Sequence, residues 1–282
     1  MRTVHQSIRQ RTHEQYEFNT GFSALMRQVE RAHDSTSLNL AIFVKEYINA
    51  QTDLGWTALM IAADKGKMNF CEQLLAAGAN PRKILRFSDR NALMIAIIHG
   101  NLAIVKCLLK HAKNSVHGID IDYQDHDGLT ALMHAIQGSH TQITDVLLVA
   151  GANVNLQEED GRTALMFAAN NEKMVQYIPV LLANGADPTV RERMYGKTAL
   201  MIAARKPAAS KYIAVLSRQC FKITDDMTLF QAWAIAIEAN AFSNAMVLIN
   251  LGGIHPNARG WDRLIGQDEI TRLMKMIYLL ND

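Results

Sequence analysis

Two side chains in the middle of the chain have the types and spacing of a nucleophile and its base. Cys107 and His111 are four residues apart, so a helix through them would place a thiol and an imidazole on one face. The neighbouring residues favour another interpretation, because Cys107 directly precedes Leu108 and Leu109 and fits a small packed core residue. A nucleophile and a base alone do not make an active site, so we expect no catalytic residue.

Histidines are concentrated in the same part of the chain, and a group of imidazoles is a candidate metal site. They stand at His111, His117, His126, His134 and His140. Their spacings match no structural zinc pattern, and the cysteines are too distant along the chain to complete one. We therefore interpret them as solvated or capping histidines. The chain also lacks a glycine-rich phosphate loop, a His-Glu-x-x-His motif and a Gly-x-Ser-x-Gly motif, so we expect no metal and no cofactor.

The elements that position these residues follow from a repeat. The tripeptide Ala-Leu-Met occurs six times, with steps of 34, 34, 39, 33 and 35 residues between copies. A period of this length is typical of a solenoid built from stacked helical units. The residue before each copy is Ser23, Thr57, Asn91, Thr130, Thr163 or Thr198. Such side chains accept hydrogen bonds from the free amides of a first helical turn, which predicts a short helix at every copy.

Each unit is predicted to contain a second helix and a polar connector. In the copy at residues 55–80, Leu59 and Ala62 lie on one helix face, where leucine fills the core and alanine lets the next unit approach. The recurring methionines are assigned to the same core between repeats. A second helix ends in paired apolar residues such as Leu74 and Leu75, before a glycine. The turn-rich segment that follows should form a hairpin tip.

The complete pattern resembles a known repeat. Asp-x-x-Gly-x-Thr-Ala-Leu-Met-x-Ala-Ala, followed by Leu-Leu-x-x-Gly-Ala-Asn or Gly-Ala-Asp, is similar to the ankyrin repeat over roughly residues 20–257. The usual Thr-Pro-Leu-His of the family is replaced by Thr-Ala-Leu-Met, which resembles ankyrin proteins common in intracellular bacteria, secreted effectors among them. The resemblance implies an all-α ankyrin-repeat solenoid of helix-turn-helix units with short β-hairpin-like connectors.

The resemblance divides the chain into three parts. Residues 1–19 are a polar N-terminal extension, residues 20–257 hold six to seven repeats, and residues 258–282 hold C-terminal capping helices. The first and last repeats are degenerate, as expected for units that must show a polar outer face. The single 39-residue step indicates a longer second helix or loop near residues 113–118.

In ankyrin arrays the hairpin tips and the exposed ends of the first helices contact partners, and the resemblance assigns this role to matching residues here. The expected partner-binding residues are Trp56, Lys65, Phe87, Arg90, His99, His126, Asp127, Leu129, Asp160, Arg162, Asn171, Tyr195, Lys197 and Arg205. Three of them are aromatic, and exposed aromatics are enriched in interface hot spots. Basic zones at 82–90 and 191–206 flank an acidic centre at 125–160, which favours a protein of complementary charge pattern over a uniform polyanion.

The composition argues against several other classes of function. The net charge is only +2, so no global field attracts nucleic acid, and no nucleic-acid partner is expected. Three cysteines at unrelated repeat positions do not form a disulfide framework, and the N-terminus lacks the apolar core of a secretory signal. No run approaches about 18 apolar residues, so we expect no membrane span. The expected location is the cytoplasm, or a host cytosol reached without a signal peptide.

These observations predict a non-enzymatic, monomeric module that binds a partner protein through its concave face and hairpin tips. A secreted bacterial effector that acts on host proteins is one form of this hypothesis. Three alternatives stay open. They are a eukaryotic-type adaptor or inhibitor, an enzyme with a pocket at 113–118 or in the divergent 219–282 segment, and a nucleic-acid-binding protein.

Overall fold

A computed structural model describes residues 24–36, 47–114, 118–221 and 226–252 of the chain. Within these ranges there are thirteen α-helices, two 3₁₀ turns and no β-strand, which confirms the all-α prediction. The chain divides between Asn153 and Val154 into two compact units, each described here by itself. The predicted N-terminal extension, the capping helices and residues 115–117 of the predicted insertion lie outside the described residues.

The helices follow one another as short pairs. In the first unit they are α1 (Ala24–Arg31), α2 (Ala58–Asp64), α3 (Met68–Ala76), α4 (Ala92–Ile98), α5 (Leu102–Asn114), α6 (Ala131–Gln137) and α7 (Thr141–Val149). In the second unit they are α8 (Ala164–Asn170), α9 (Ile178–Ala183), α10 (Ala199–Ala204), α11 (Ser210–Phe221), α12 (Asp226–Glu238) and α13 (Phe242–Gly252), with 3₁₀ turns at Val175–Tyr177 and Pro207–Ala209. The extra length predicted after the third Ala-Leu-Met lies at least partly in α5, which has 13 residues against nine in α3 and α7.

The first helices begin where the capping residues predict. The side chains of Thr57, Asn91, Thr130 and Thr198 each accept a hydrogen bond from the amide of the third helical residue. Thr163 departs from the prediction, because its backbone is extended like the others but its buried Oγ1 has no hydrogen-bond partner. Helix α8 therefore starts without the side-chain cap that its sequence predicts, and Ser23 lies outside the described residues.

The core of each unit is built from the constant residues of the repeat. The Ala-Leu-Met helices are six to eight residues long, too short to be stable in isolation. Helices α2, α4, α6, α8 and α10 bury all but one or two of their residues, whereas α1 buries Leu25, Met26 and Val29. Within each unit the first helices pack on one another in one row, and the second helices pack in another. The six recurring methionines are at most 3% exposed, which confirms their assignment to the core. Trp233 takes the place of leucine in α12 and is also buried.

A lysine joins the first two repeats through main-chain carbonyls. The Nζ atom of Lys67 donates to the carbonyl oxygens of Val29, Glu30 and Ala32 at 2.6, 2.7 and 2.8 Å. These carbonyls belong to the end of α1, where no further helical turn can use them. Desolvation lowers the pKa of Lys67 from its ordinary value, although Asp34 opposes the change. All three ammonium donors are thus occupied by the neighbouring helix.

Asparagines satisfy other helix ends in the same manner. Asn101 Nδ2 donates to the carbonyl oxygen of Ala63 in α2 at 2.7 Å. In the second unit, Asn244 Nδ2 donates to the carbonyl oxygens of Ala204 and Lys206 at 2.9 and 3.0 Å. Each helix end is therefore completed by a side chain from the following repeat, which couples helix formation to stacking.

Replacement of Leu165 by alanine should destabilise the second unit by about 2–5 kcal/mol, because this side chain is fully buried in α8. Urea unfolding monitored by circular dichroism measures the change. Tyr195→Ala removes more atoms from a position that is 71% exposed and should cost less than about 1 kcal/mol. Equal losses from the two variants would contradict the repeat register.

Replacement of Lys67 by methionine should leave three carbonyls at the end of α1 without a donor. The expected loss is about 1–3 kcal/mol, accompanied by faster hydrogen exchange in α1 than in α4. Lys106→Met makes the same change at an exposed position of α5 and serves as the matched control. If both variants unfold at the same urea concentration as the wild type, the lysine does not join the repeats.

Candidate functional site

The described connectors between successive repeats form tight hairpins, as their turn-rich sequences predict. The base of each hairpin is a main-chain hydrogen bond from the amide before the tip to the carbonyl oxygen after it. Three hairpins enclose three residues, and their bonds are Thr52–Trp56 at 2.9 Å, Asp125–Leu129 at 3.0 Å and Glu158–Arg162 at 3.0 Å. Two hairpins enclose four residues, and their bonds are Leu85–Arg90 and Glu192–Lys197, both at 3.0 Å.

The additional residue in the longer hairpins goes together with a change in the side chains that the tip exposes to solvent. The four-residue tips carry the apolar side chains of Phe87, Met194 and Tyr195, which are 76%, 63% and 71% exposed. The corresponding outer positions of the three-residue tips are polar, as at Asp53 and His126. Each described unit therefore has one long hairpin that holds large hydrophobic groups in solvent.

Neighbouring tips within a unit are joined by main-chain hydrogen bonds. In the first unit, Arg86 N donates to Leu54 O at 3.0 Å, and His126 N donates to Ser88 O at 3.1 Å. Arg193 N makes the equivalent bond to Asp160 O at 2.7 Å in the second unit. These bonds fix the tips relative to their neighbours and make them a preformed surface.

The close approach of the tips requires glycine before the first helix. Gly55 has φ +88°, and a Cβ there would lie 2.7 Å from the carbonyl oxygen of Ile84 in the next hairpin. Gly161 has φ +80°, and its added Cβ would lie 3.2 Å from the amide nitrogen of Arg193. Any larger residue would be strained and would push the two tips apart.

Two predicted partner-binding residues are wrongly assigned to the exposed surface. Trp56 is only 4% exposed and Leu129 only 8%, so neither can contact a partner in this structure. Both stand between a tip glycine and a helix cap, where the chain has already turned back toward the first helix. Their side chains consequently pack inward, while the residues two or three positions earlier remain outside.

Arg90 is held inside the first unit by a buried carboxylate. Its Nε lies 3.2 Å from Oδ2 of Asp125, which also lies 2.8 Å from Nε2 of His134. Both Asp125 and His134 are buried, so the prediction of a solvated or capping histidine is wrong for His134. Oδ1 of Asp125 accepts from the amides of Asp127 and Leu129 at 3.2 and 2.9 Å. One carboxylate thus ties a hairpin to the helix it precedes.

This environment sets the pKa of Asp125. Burial alone would raise it, but the hydrogen bond and charge of His134, the amide of Leu129 and the guanidinium of Arg90 together lower it below the ordinary value of 3.8. The carboxylate is therefore ionised at neutral pH and serves as the acceptor for every donor around it. Sequence spacing alone does not reveal this cluster, because Arg90 comes from the preceding hairpin.

Arg162 braces the hairpin that precedes α8. Its Nε lies 3.0 Å from Oε1 of Glu158, its NH2 bonds the carboxylate of Asp160, and its guanidinium carbon lies 5.7 Å from the centre of the Phe167 ring. Oε1 of Glu158 also accepts from the amide of Arg162 at 3.0 Å. Two of the predicted partner-binding residues, Arg162 and Asp160, are thus engaged with each other.

Of the predicted residues at the ends of the first helices, three make contacts within their own unit and one is exposed. Lys65 and His99 both approach Asp64, with Nζ at 3.4 Å from Oδ2 and Nε2 at 3.2 Å from Oδ1. Asn171 accepts through its side chain from the amide of Lys173 at 3.1 Å. Arg205 is exposed and follows the last residue of α10.

The remaining predicted residues form the exposed tips. Phe87, His126 and Asp127 stand on tips of the first unit, while Tyr195 and Lys197 belong to the long tip of the second. Lys197 Nζ lies 4.7 Å above the Tyr195 ring, close enough for a cation–π contact. Met194, on the same tip, directly precedes Tyr195 and is also largely exposed.

Of the two described thiols that could have carried chemistry, Cys71 is buried and Cys107 is half-buried. Burial raises the pKa of the Cys71 and Cys107 thiols, with the carboxylate of Glu72 adding to the effect at both. Neither thiol is therefore a thiolate near neutral pH. Within the described ranges, no three His, Cys, Asp or Glu side chains are arranged to hold a metal ion. Of the helices described, none has the length and apolar character that crossing a bilayer requires.

Replacement of Asp125 by asparagine should destabilise the first unit by about 1–3 kcal/mol at pH 7, because an amide cannot accept from Arg90, His134 and two main-chain amides together. The pKa of Asp125 is lowered on folding, so its contribution is complete above pH 3.8 and is lost as the pH falls through the folded-state pKa. Urea unfolding at pH 7 and at about pH 3 should therefore show a difference that shrinks in acid.

The matched control for this prediction is Asp127→Asn, two residues away. Its side chain is 61% exposed and lies 3.9 Å from Arg90, so the change should cost less than about 1 kcal/mol. A destabilisation by Asp125→Asn that is the same at both pH values would argue against a role for the charge.

Comparison with known proteins agrees with this architecture. The profile of a family described as ankyrin repeats (3 copies) matches residues 25–117 and 112–192. An ankyrin repeat protein of fowlpox virus (strain NVSL) is 29% identical over 128 residues, which are 45% of this chain and 28% of the viral protein.

Two channel proteins match a similar length. A Caenorhabditis elegans homologue of transient receptor potential cation channel subfamily A member 1 is 30% identical over 129 residues, 45% of this chain and 10% of the channel. The human channel of that name is 34% identical over 107 residues, 38% of this chain and 9% of the channel. The chain thus spans less than a third of any of these relatives. The two family matches together cover residues 25–192, more than half of the 282 residues, and the chain belongs to the ankyrin-repeat family.

Proposed function

We propose that this protein binds a partner protein through its hairpin tips, with Phe87 in the first unit and Met194 and Tyr195 in the second as the main contacts. The observation that carries the proposal is the coincidence of loop length and chemistry. Only the hairpins with four enclosed residues, among those described, hold large apolar side chains in solvent. A soluble domain gains nothing in stability from such exposure, whereas an interface does.

The tips are suited to binding because little order has to be created when a partner arrives. Their backbones are held by the hairpin hydrogen bonds and by the bonds between neighbouring tips. The entropic cost of fixing a flexible loop is therefore absent, and burial of the aromatic rings contributes directly to affinity. The Lys197 ammonium lies 4.7 Å from the centre of the Tyr195 ring, where a cation–π contact favours this arrangement of the tip.

The structure favours binding over catalysis for the groups that it describes. The His134–Asp125 pair resembles half of a catalytic dyad, but both groups are buried and their hydrogen bonds are directed at Arg90 and at the hairpin backbone. The Cys107 thiol has a raised pKa and is half-buried. Ankyrin repeats as a family serve as protein–protein interaction modules, which supports the same conclusion.

The identity of the partner is a finer proposal. The Thr-Ala-Leu-Met form of the repeat supports a secreted effector that engages a host protein, acting as a monomer in the cytosol. The relationship to an ankyrin repeat protein of a virus is compatible with a role at the boundary between parasite and host. The likeness to the two channels covers about a tenth of their length and supports a repeat module, not ion conduction.

The double variant Phe87→Ala plus Tyr195→Ala should lose binding to the partner while keeping the fold. Truncation of one hot-spot aromatic costs about 2 kcal/mol or more, so each change alone should weaken binding by about thirtyfold and the two together by more. Affinity capture from host lysate with quantitative mass spectrometry compares the variant with the wild type, and thermal unfolding verifies the fold.

The matched control replaces two exposed apolar side chains that are not on these tips. Val149 on α7 is 90% exposed and Tyr47 is 57% exposed, so Val149→Ala plus Tyr47→Ala removes a comparable surface elsewhere. This control should retain every captured protein. Retention of all captured proteins by the tip variant, or their loss from the control, would refute the assignment.

A further inference from the structure

A polar groove lies beside the first long hairpin. Its volume is about 510 Å³, within the range of ligand-binding clefts, and its lining includes Arg82, Lys83 and Arg86 together with Asp53 and Asp89. The floor is fixed by Gln51, whose Nε2 donates to the carbonyl oxygens of Gly55 and Ile84 at 2.8 and 3.0 Å. The groove is therefore a preformed feature between two neighbouring hairpins of the first unit.

The three basic side chains of the groove differ in whether they already form hydrogen bonds or ion pairs within the protein. Arg82 Nε donates to the carbonyl oxygen of Gly118. Lys83 and Arg86 enter no side-chain hydrogen bond or ion pair with any residue that the structure describes. Elsewhere in the same unit, Arg90 is paired with Asp125, and Lys67 donates hydrogen bonds to main-chain carbonyl oxygens. Two uncommitted positive charges in one groove mark a place where an anionic group would gain partners without displacing others.

An exposed apolar side chain belongs to the hairpin that lines the groove. Phe87 follows Arg86 directly in the sequence and is 76% exposed at the tip of that hairpin. A ligand that places a carboxylate near Arg86 can therefore place an adjacent apolar group on the Phe87 ring. Asp53 and Asp89 line the groove as well, and they would repel a continuous row of phosphates more than a peptide whose charges are spaced.

We propose that the groove receives an acidic segment of the partner protein, an inference that rests on the proposed binding function. Side-chain carboxylates of that segment pair with Lys83 and Arg86, and a neighbouring apolar side chain covers Phe87. The partner is recognised as a short extended sequence with Asp or Glu next to a hydrophobic residue. Recognition of this kind requires no folded epitope on the partner.

The test is selection from a random peptide library displayed on phage, with the full-length chain as bait. Sequences enriched by the wild type should contain more Asp and Glu than the input library, next to a hydrophobic residue. The charge-reversed variant Lys83→Glu plus Arg86→Glu should lose this enrichment. The control Lys106→Glu plus Lys110→Glu makes the same charge change at exposed positions of α5 and should retain it.

Affinity measurements then follow on the best enriched peptide by fluorescence anisotropy. Its counterpart with Asn and Gln in place of Asp and Glu should bind at least about tenfold more weakly to the wild type. The proposal is overturned if enriched peptides have no acidic excess, if that excess persists with Lys83→Glu plus Arg86→Glu, or if oligo(dT) binds more tightly than the peptide.

The proposed function is tested by different residues and can stand without the groove. Tyr195→Ala changes the second unit and leaves Lys83 and Arg86 in place. If captured proteins depend on Tyr195 but peptides of acidic character are not selected, the groove assignment fails while binding through the tips survives. If acidic peptides are selected and no captured protein depends on Phe87 or Tyr195, the proposed tip function fails instead.

Discussion

The helices that start at Ala-Leu-Met are too short to exist alone, and the rest of the structure depends on how they are completed by their neighbours. Four of them have seven residues, one has six and one has eight, so few of their main-chain groups can be satisfied within the helix. Leucine, alanine and methionine bury the sides of these helices, and side chains from the following repeat satisfy their ends. Lys67 and Asn244 show that chemically different donors, an ammonium and an amide, serve this purpose.

The same dependence produces the hairpin tips. Once the helices stack, the connectors are held close enough for their main chains to hydrogen-bond from tip to tip, and glycine becomes necessary where the chains touch. A three-residue tip meets these conditions with polar side chains outside. A fourth residue is not required for stacking. The hairpins that have one expose Phe87 in the first unit, and Met194 and Tyr195 in the second. Among the described hairpins, loop length thus separates the polar tips from those that expose large apolar side chains.

Internal electrostatics reduce the surface that is available to a partner. Arg90, Arg162 and His99 resemble interface residues in the sequence, but each is paired with a carboxylate in its own unit. Breaking such pairs on binding would cost part of what a new contact gains. Lys83 and Arg86 are different, because they line a groove and have no such pairing with any residue that the structure describes. The distinction between these two groups of side chains lies in geometry and not in residue type.

The sequence by itself determined the repeat register, the starts of the capped helices and the burial of leucine, alanine and methionine, because these depend on spacing within one repeat. It also identified Phe87 and Tyr195 as aromatic residues of the connectors, without the loop geometry that exposes them. Only the tertiary structure decided that Trp56 and Leu129 point inward and that His134 meets Asp125 and Arg90. Those outcomes depend on the exact turn of a hairpin and on a neighbour some 35 residues away. Periodicity within one repeat contains no information about either.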